Sequence, residues 1–277
     1  MTDPRPTKAQ RRDEARLEAQ RMRQAEERAA ARRRTILIAG IVVAIGVLAV
    51  LVTVILGQGA RTAMEDVDRP AGSTLAGGIP VGADGIAGAV DDYGDAVVVQ
   101  VYSDYLCGAC AAFKQERGAE LDELRESGEI VLEVHPVSIL DQPVTGSVYS
   151  TRSAAAAALV ADESPEAFLA FNDALFDDRP QGPEGHSDER IAEIAQESGA
   201  SAAVVQSIAD GTYYEAAGGE GRFVPWVAAA TEQASRDLAR LATPTVVVDG
   251  QILDAETFDW RVDGSIAQAV AQARADR

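Results

Sequence analysis

Between Thr35 and Leu56 the chain runs for 22 residues without a charge (TILIAGIVVAIGVLAVLVTVIL). As a helix this run would measure about 33 Å, matching a bilayer hydrocarbon core of roughly 30 Å, so it predicts one transmembrane helix. The pattern then breaks. From Gly57 to Gly94 the chain has nine glycines in thirty-eight residues and little periodicity, which predicts a flexible linker over 57–89 with one short strand near Ile79 to Val81. The folded part is expected to begin near 83–90 and to fill 90–277.

Within that part, Val97, Val99 and Val101 alternate with Val98, Gln100 and Tyr102, apolar enough on both sides for a central strand. The stretch from Cys107 to Glu126 reads as a helix closed by Ser127-Gly128, and Glu129 to His135 as a second strand with Ile130, Leu132 and Val134 on one face. A βαβ unit results. Residues 147–241 carry only helical signals: an alanine-rich helix at Ser153 to Ala161, an amphipathic one at Pro165 to Phe176, then Asp188 to Ser198, Ser201 to Ala209 and Trp226 to Leu241. Strand character returns at Thr245 to Val248, where Asp249-Gly250 predicts a tight hairpin turn into Gln251 to Leu253; Ser265 to Ala275 closes the chain as a helix.

Charge changes the picture by dividing it. Residues 1–34 carry 11 Lys/Arg against 6 Asp/Glu, a balance of +5, so the remaining residues carry −24 to reach the net −19. Arg32, Arg33 and Arg34 abut the apolar run, whereas Arg61 alone follows its other end, so the positive-inside rule places 1–34 in the cytoplasm and everything after Leu56 outside. A signal peptide cleaved after Gly59 or Ala60 is the competing reading; the length of the run and of the charged segment before it favour an uncleaved anchor. The N-terminal arginines could meet anionic lipid headgroups or nucleic acid, but six interspersed acids dilute their field, so the segment reads as an orientation signal and nucleic acid is not expected.

The only cysteines are Cys107 and Cys110, three positions apart at a strand-to-helix junction. Unpaired N–H groups and the helix dipole stabilise a thiolate there, and the i,i+3 spacing brings the sulfurs within disulfide reach. Four readings compete: a catalytic dithiol, an inert disulfide, half a zinc site, and unrelated core cysteines. Zinc would need His135 and His186, separated from Cys110 by 24 and 75 intervening residues and ill placed for it. Two cysteines are too few for a disulfide scaffold but enough for one redox centre outside the cytoplasm. Thr243-Pro244, directly before a valine run, is the second constellation, because a proline without an N–H belongs at a strand's first position and has a cis option. His135, Trp226 and Trp260 read as packing residues. Tyr102, Tyr105 and Phe113 read either as core or as an apolar rim for substrate.

These segments resemble the DsbA-like proteins of the thioredoxin superfamily. The resemblance rests on Ser103-Asp104-Tyr105-Leu106-Cys107-Gly108-Ala109-Cys110, on Tyr149-Ser150-Thr151-Arg152, on Phe168 to Phe176 with Arg179-Pro180, and on Thr243 to Gly250, and it spans about residues 90–275. It implies an α/β thioredoxin-like fold with a helical insertion, here preceded by one N-terminal transmembrane helix. It also implies a membrane-anchored thiol-disulfide oxidoreductase in which Cys107 and Cys110 are catalytic, Pro244 is a cis proline facing them, and Thr243 offers backbone groups to a substrate peptide. Reduced or unfolded extracytoplasmic proteins would be the substrates and a quinone-linked membrane protein the reoxidising partner, with no metal or organic cofactor.

The chain departs from that pattern twice. Val101 stands where relatives often carry a buried acid, leaving Asp104, Asp249 or a water to take the Cys110 proton. Gly108-Ala109 between the cysteines lacks the histidine or proline of many relatives, leaving the helix dipole and Lys114 to stabilise the Cys107 thiolate. The same site run as a reductase or isomerase, or a tethered client-binding protein with a fixed disulfide, remain the alternatives.

Overall fold

The computed structural model describes residues 63–141, 146–216, 219–253 and 258–277, together with 22, 23, 28, 33, 34, 40, 41 and 43–50. The expected membrane span at 35–56 and the tail at 1–34 lie mostly outside these residues. Their described positions are helical, and among the described residues no helix is long and apolar enough to cross a membrane.

Among the described residues, five strands form the central sheet: β1 (Ile79–Val81), β2 (Val97–Ser103), β3 (Ile130–Pro136), β6 (Thr245–Val248) and β7 (Gln251–Ile252), in the order β1-β3-β2-β6-β7. β2 and β3 are parallel, with Val99 opposite Leu132, and are joined by helix α1 (Gly108–Glu126) as the βαβ pattern requires. β6 runs antiparallel to β2, pairing Val246 with Val101. Its turn into β7 uses Asp249 at φ 50° and Gly250 at φ 78°, the two positive angles of a type I′ hairpin. Alternation sorts the strands. Val97, Val99, Val101, Val246 and Val248 join the main core, while Tyr102 and Val247 pack on the other face with Ala234 and Leu238.

The helices between β3 and β6 are α2 (Tyr149–Glu163), α3 (Phe168–Asp177), α4 (Asp188–Glu197), α5 (Ala202–Ala209) and α6 (Val224–Asp237), with α7 (Ser265–Asp276) last. The hydroxyls of Ser187 and Ser201 cap α4 and α5 by accepting from the N–H groups of Arg190 and Val204. The helical segment also holds a small two-stranded ribbon, β4 (Glu215–Ala216) with β5 (Gly219–Glu220), which its sequence did not announce. Helix α6 ends at Asp237 rather than Leu241, because Leu238 turns extended.

The larger correction concerns 57–89. From Ala63 onward this segment is folded onto the domain rather than a tether: Met64 is fully buried, and β1 pairs antiparallel with β3, Ile79 opposite Val134. Four of the glycines that suggested a linker, Gly72, Gly77, Gly78 and Gly88, serve close packing. Gly72 has φ 69°, and a β-carbon there would lie 2.0 Å from the Gly88 carbonyl oxygen.

Candidate active site

Strand β2 ends at Ser103, and Asp104 to Leu106 turn the chain so that Cys107, at φ −74° and ψ 117°, is the N-cap of α1. Asp104 holds this turn. Its carboxylate is fully buried; Oδ1 accepts from the Leu106 N–H (2.9 Å) and the Ser150 hydroxyl (2.7 Å), and Oδ2 from the N–H groups of Ile139 (2.9 Å) and Leu140 (3.0 Å). Burial pushes its pKa up on balance, while these four donors pull it down. One side chain thus fastens three segments: the cysteine turn, the loop after β3 and the start of α2.

Both cysteines are free thiols. Cys107 keeps 9% of its surface and Cys110 only 1%, so an incoming sulfur meets Cys107 first. The Cys107 pKa falls from 9.0 to about 5: the main cause is the hydrogen bond with Cys110, burial opposes it, and Thr243 and the N–H groups of Cys110 and Ala109 add to the fall. Those two N–H groups belong to the unpaired first turn of the helix. The Cys110 thiol moves the other way, pushed up by burial and then by its bond to Cys107 and that sulfur's charge. The pair therefore holds one nucleophilic sulfur and one proton-retaining sulfur.

Thr243 reaches this pair from the start of β6. The Thr243-Pro244 peptide is cis, and the Thr243 carbonyl oxygen lies 3.5 Å from Cys107 Sγ. Asp249 does not reach it. Its N–H bonds Val98 at the opposite end of β2 and its carboxylate pairs with Arg277 (2.7 Å). Lys114 is not a partner of Cys107 either: its ammonium is held by Asp173 (2.9 Å) and Asp122 (3.8 Å), against the face of α1 that carries Cys110.

Arg179, which the sequence offered only within a matching segment, lies over the opening turn of α1. Its Nη1 donates to the carbonyls of Leu106 (3.3 Å) and Pro180 (2.9 Å), and its guanidinium carbon is 3.8 Å from where a Gly108 β-carbon would sit. Tyr102, Tyr105 and Phe113 are buried, so they are core rather than rim. His135 stacks on Tyr102 with centroids 4.1 Å apart and meets Glu133 Oε2 at 3.2 Å, while His186 packs edge-on against Tyr149. Neither histidine adjoins the cysteines.

The family described as Thioredoxin matches residues 94–263. No curated protein matches. Among solved structures, DsbA from Mycobacterium tuberculosis in its reduced form is 30% identical, covering 71% of this chain and 99% of that one at a TM-score of 0.50. A disulfide bond oxidoreductase (DsbG) from the same organism, also reduced, is 29% identical over 71% of this chain and 86% of that one, TM-score 0.54. MdbA, a thiol-disulfide oxidoreductase from Actinomyces oris, is 21% identical over 77% and 96%, TM-score 0.59, a likeness of fold.

Proposed function

We propose, for a chain that belongs to the thioredoxin family and is a thiol-disulfide oxidoreductase of the DsbA type, that it works as an oxidase donating its Cys107–Cys110 disulfide to reduced proteins outside the cytoplasm. The observation that carries this reading is the opposed acidity of the two sulfurs at the start of α1, Cys107 lowered to about 5 and Cys110 raised. A sulfur stable as thiolate is a good leaving group, and stabilising the reduced form makes the disulfide the stronger oxidant.

A substrate thiolate attacks Cys107 in the disulfide, forming a mixed disulfide and releasing Cys110. A second substrate thiolate then attacks the substrate sulfur and displaces Cys107 as thiolate, leaving the substrate oxidised and the enzyme reduced. Thr243, whose carbonyl faces Cys107, supplies main-chain hydrogen bonds to the peptide held there. Reoxidation falls to a quinone-linked membrane partner. The uncharged run at 35–56 and the three arginines before it support anchoring in the same bilayer, with the domain extracytoplasmic.

Cysteine variants test the exchange chemistry. Cys107→Ser abolishes oxidation of a reduced unfolded substrate, whereas Cys110→Ser traps mixed disulfides through Cys107. Oxidation at the wild-type rate by Cys107→Ser contradicts the reading.

A further inference from the structure

Every passage through the mixed disulfide moves a proton at Cys110. The sulfur leaves as a poor, buried thiolate when Cys107 is attacked, and must be deprotonated again before it can close the ring. A buried thiol of raised pKa needs a partner for this. Asp104 is ill suited, because its carboxylate is already occupied by four donors.

Cys110 faces a small cavity of about 40 Å³ between α1, α3 and the sheet, above the roughly 10–15 Å³ that a water needs. Its polar lining is Ser103, Cys110, Lys114, Asn172 and Asp173; Val101 is among its apolar walls. Asp173 Oδ1 accepts from Lys114 Nζ at 2.9 Å and from the Asn172 amide at 3.0 Å, and Asn172 Oδ1 accepts from the buried Tyr105 hydroxyl at 2.9 Å. Lys114 lies one helical turn beyond Cys110 on α1, so cysteine, ammonium and carboxylate share one side of the helix.

We propose that Asp173 exchanges the Cys110 proton across this cavity, with Lys114 and Asn172 as positioning residues. The proposal rests on the disulfide-exchange reading. When a substrate thiolate attacks Cys107, the S–S bond breaks, and the departing Cys110 thiolate takes a proton from the Asp173 carboxyl. In the reverse sense the Asp173 carboxylate takes the Cys110 proton, and the thiolate attacks Cys107 in the mixed disulfide, forming the S–S bond and expelling the partner as thiolate. Burial raises the Asp173 pKa against the pull of Lys114 and the Asn172 amide, which suits a group that must both give and take a proton. The charged and titratable groups facing it are Lys114 and Asp122 from α1, Tyr105 from the turn before α1, and Cys110 across the cavity.

The test mixes the reduced full-length chain with oxidised glutathione, quenches with acid and follows masses in time. The Cys107 glutathione adduct forms first and serves as the internal reference; its loss as Cys110 closes the ring is the step at issue. In Asp173→Asn the adduct accumulates, closure slows by roughly a hundredfold near neutral pH, and its pH profile becomes that of an unassisted thiol, rising into alkali; Asp173→Glu recovers most of the rate. Lys114→Met is the second variant, moving the acid limb of closure to higher pH by releasing the carboxyl from its cation. Closure at the wild-type rate and pH profile in a folded Asp173→Asn protein, or an unmoved acid limb in Lys114→Met, overturns the assignment. A wild type that forms and closes the adduct keeps the exchange reading whatever the variants do, whereas a wild type that forms no adduct defeats both.

Discussion

The Ser150 hydroxyl donates to Asp104 Oδ1 at 2.7 Å, joining the first helix of the helical segment to the turn that delivers Cys107. Both residues are fully buried, so no water replaces a lost bond. Ser150→Ala is expected to lower unfolding stability by about 1.5–3 kcal/mol, the range for a hydrogen bond to a charged group. Asp104→Ala strands four donors at once and should cost on the order of 3 kcal/mol or more. Denaturant unfolding measures both, and an Asp104→Ala protein as stable as the parent would remove Asp104 as the anchor of the turn.

The sulfur pair predicts a pH dependence of definite sign. The folded Cys107 pKa lies near 5, below the ordinary 9.0, so the stability from its ionisation is fully present above the ordinary value and is lost as pH falls toward the folded one. The stability difference between the reduced protein and Cys107→Ser should therefore shrink steadily as pH falls across that window. Thiolate absorbance should show a midpoint near 5. Cys110→Ala, which removes the leading cause, raises that midpoint; an unchanged midpoint would assign the effect to Thr243 and the helix terminus.

Glu133 predicts an acid limb elsewhere in the molecule. It accepts from the Tyr93 hydroxyl (2.8 Å) and the Gln100 amide (2.8 Å) and meets His135 Nε2 at 3.2 Å. Burial opposes its ionisation, but the bonds to His135, Gln100 and Tyr93 and the His135 charge together lower its pKa below 4.5. Its contribution is present above the ordinary carboxylate value and disappears as pH falls through the depressed one. The stability lead of the wild type over Glu133→Gln should narrow under acid. A gap independent of pH would show that the carboxylate's charge is not what the network uses.

The segment from Ala63 to β1 gives a test of the domain boundary. Met64 is fully buried in the main core, and Met64→Ala should cost about 2–5 kcal/mol. A chain starting at residue 90 lacks β1 as well and exposes the edge of β3, so it should unfold at lower denaturant and aggregate more readily than one starting at 63. Equal midpoints would restore the segment to a linker.

That segment also marks where the sequence stops being readable. The alternating valines of β2, the Cys107 junction, the β3 run and the Asp249-Gly250 turn are local patterns, and each element lies where its pattern placed it to within a few residues. The Gly-rich segment has no such period, and from Ala63 onward its contacts with β3 and the core order it. Asp104 was visible as a candidate acid, yet its donors come from residues 106, 139, 140 and 150, which only tertiary folding brings together. Asp173 gave one faint signal: its neighbour Asn172 interrupts the apolar face formed by Phe168, Phe171, Leu175 and Phe176, yet is buried with them. A polar side chain kept on an apolar face needs a partner, and here that partner chain runs through Tyr105 and Asp173.

The direction of exchange rests on the redox poise of Cys107–Cys110. Equilibrating the protein with graded reduced and oxidised glutathione, then counting free thiols after an acid quench, measures it directly; for a two-electron couple a tenfold change in equilibrium constant is about 30 mV. The stabilised Cys107 thiolate predicts a potential well above that of the glutathione pool, with the dithiol favoured even in mildly oxidising mixtures. A potential well below that pool, or a bond that stays closed in excess reduced glutathione, would contradict an oxidase.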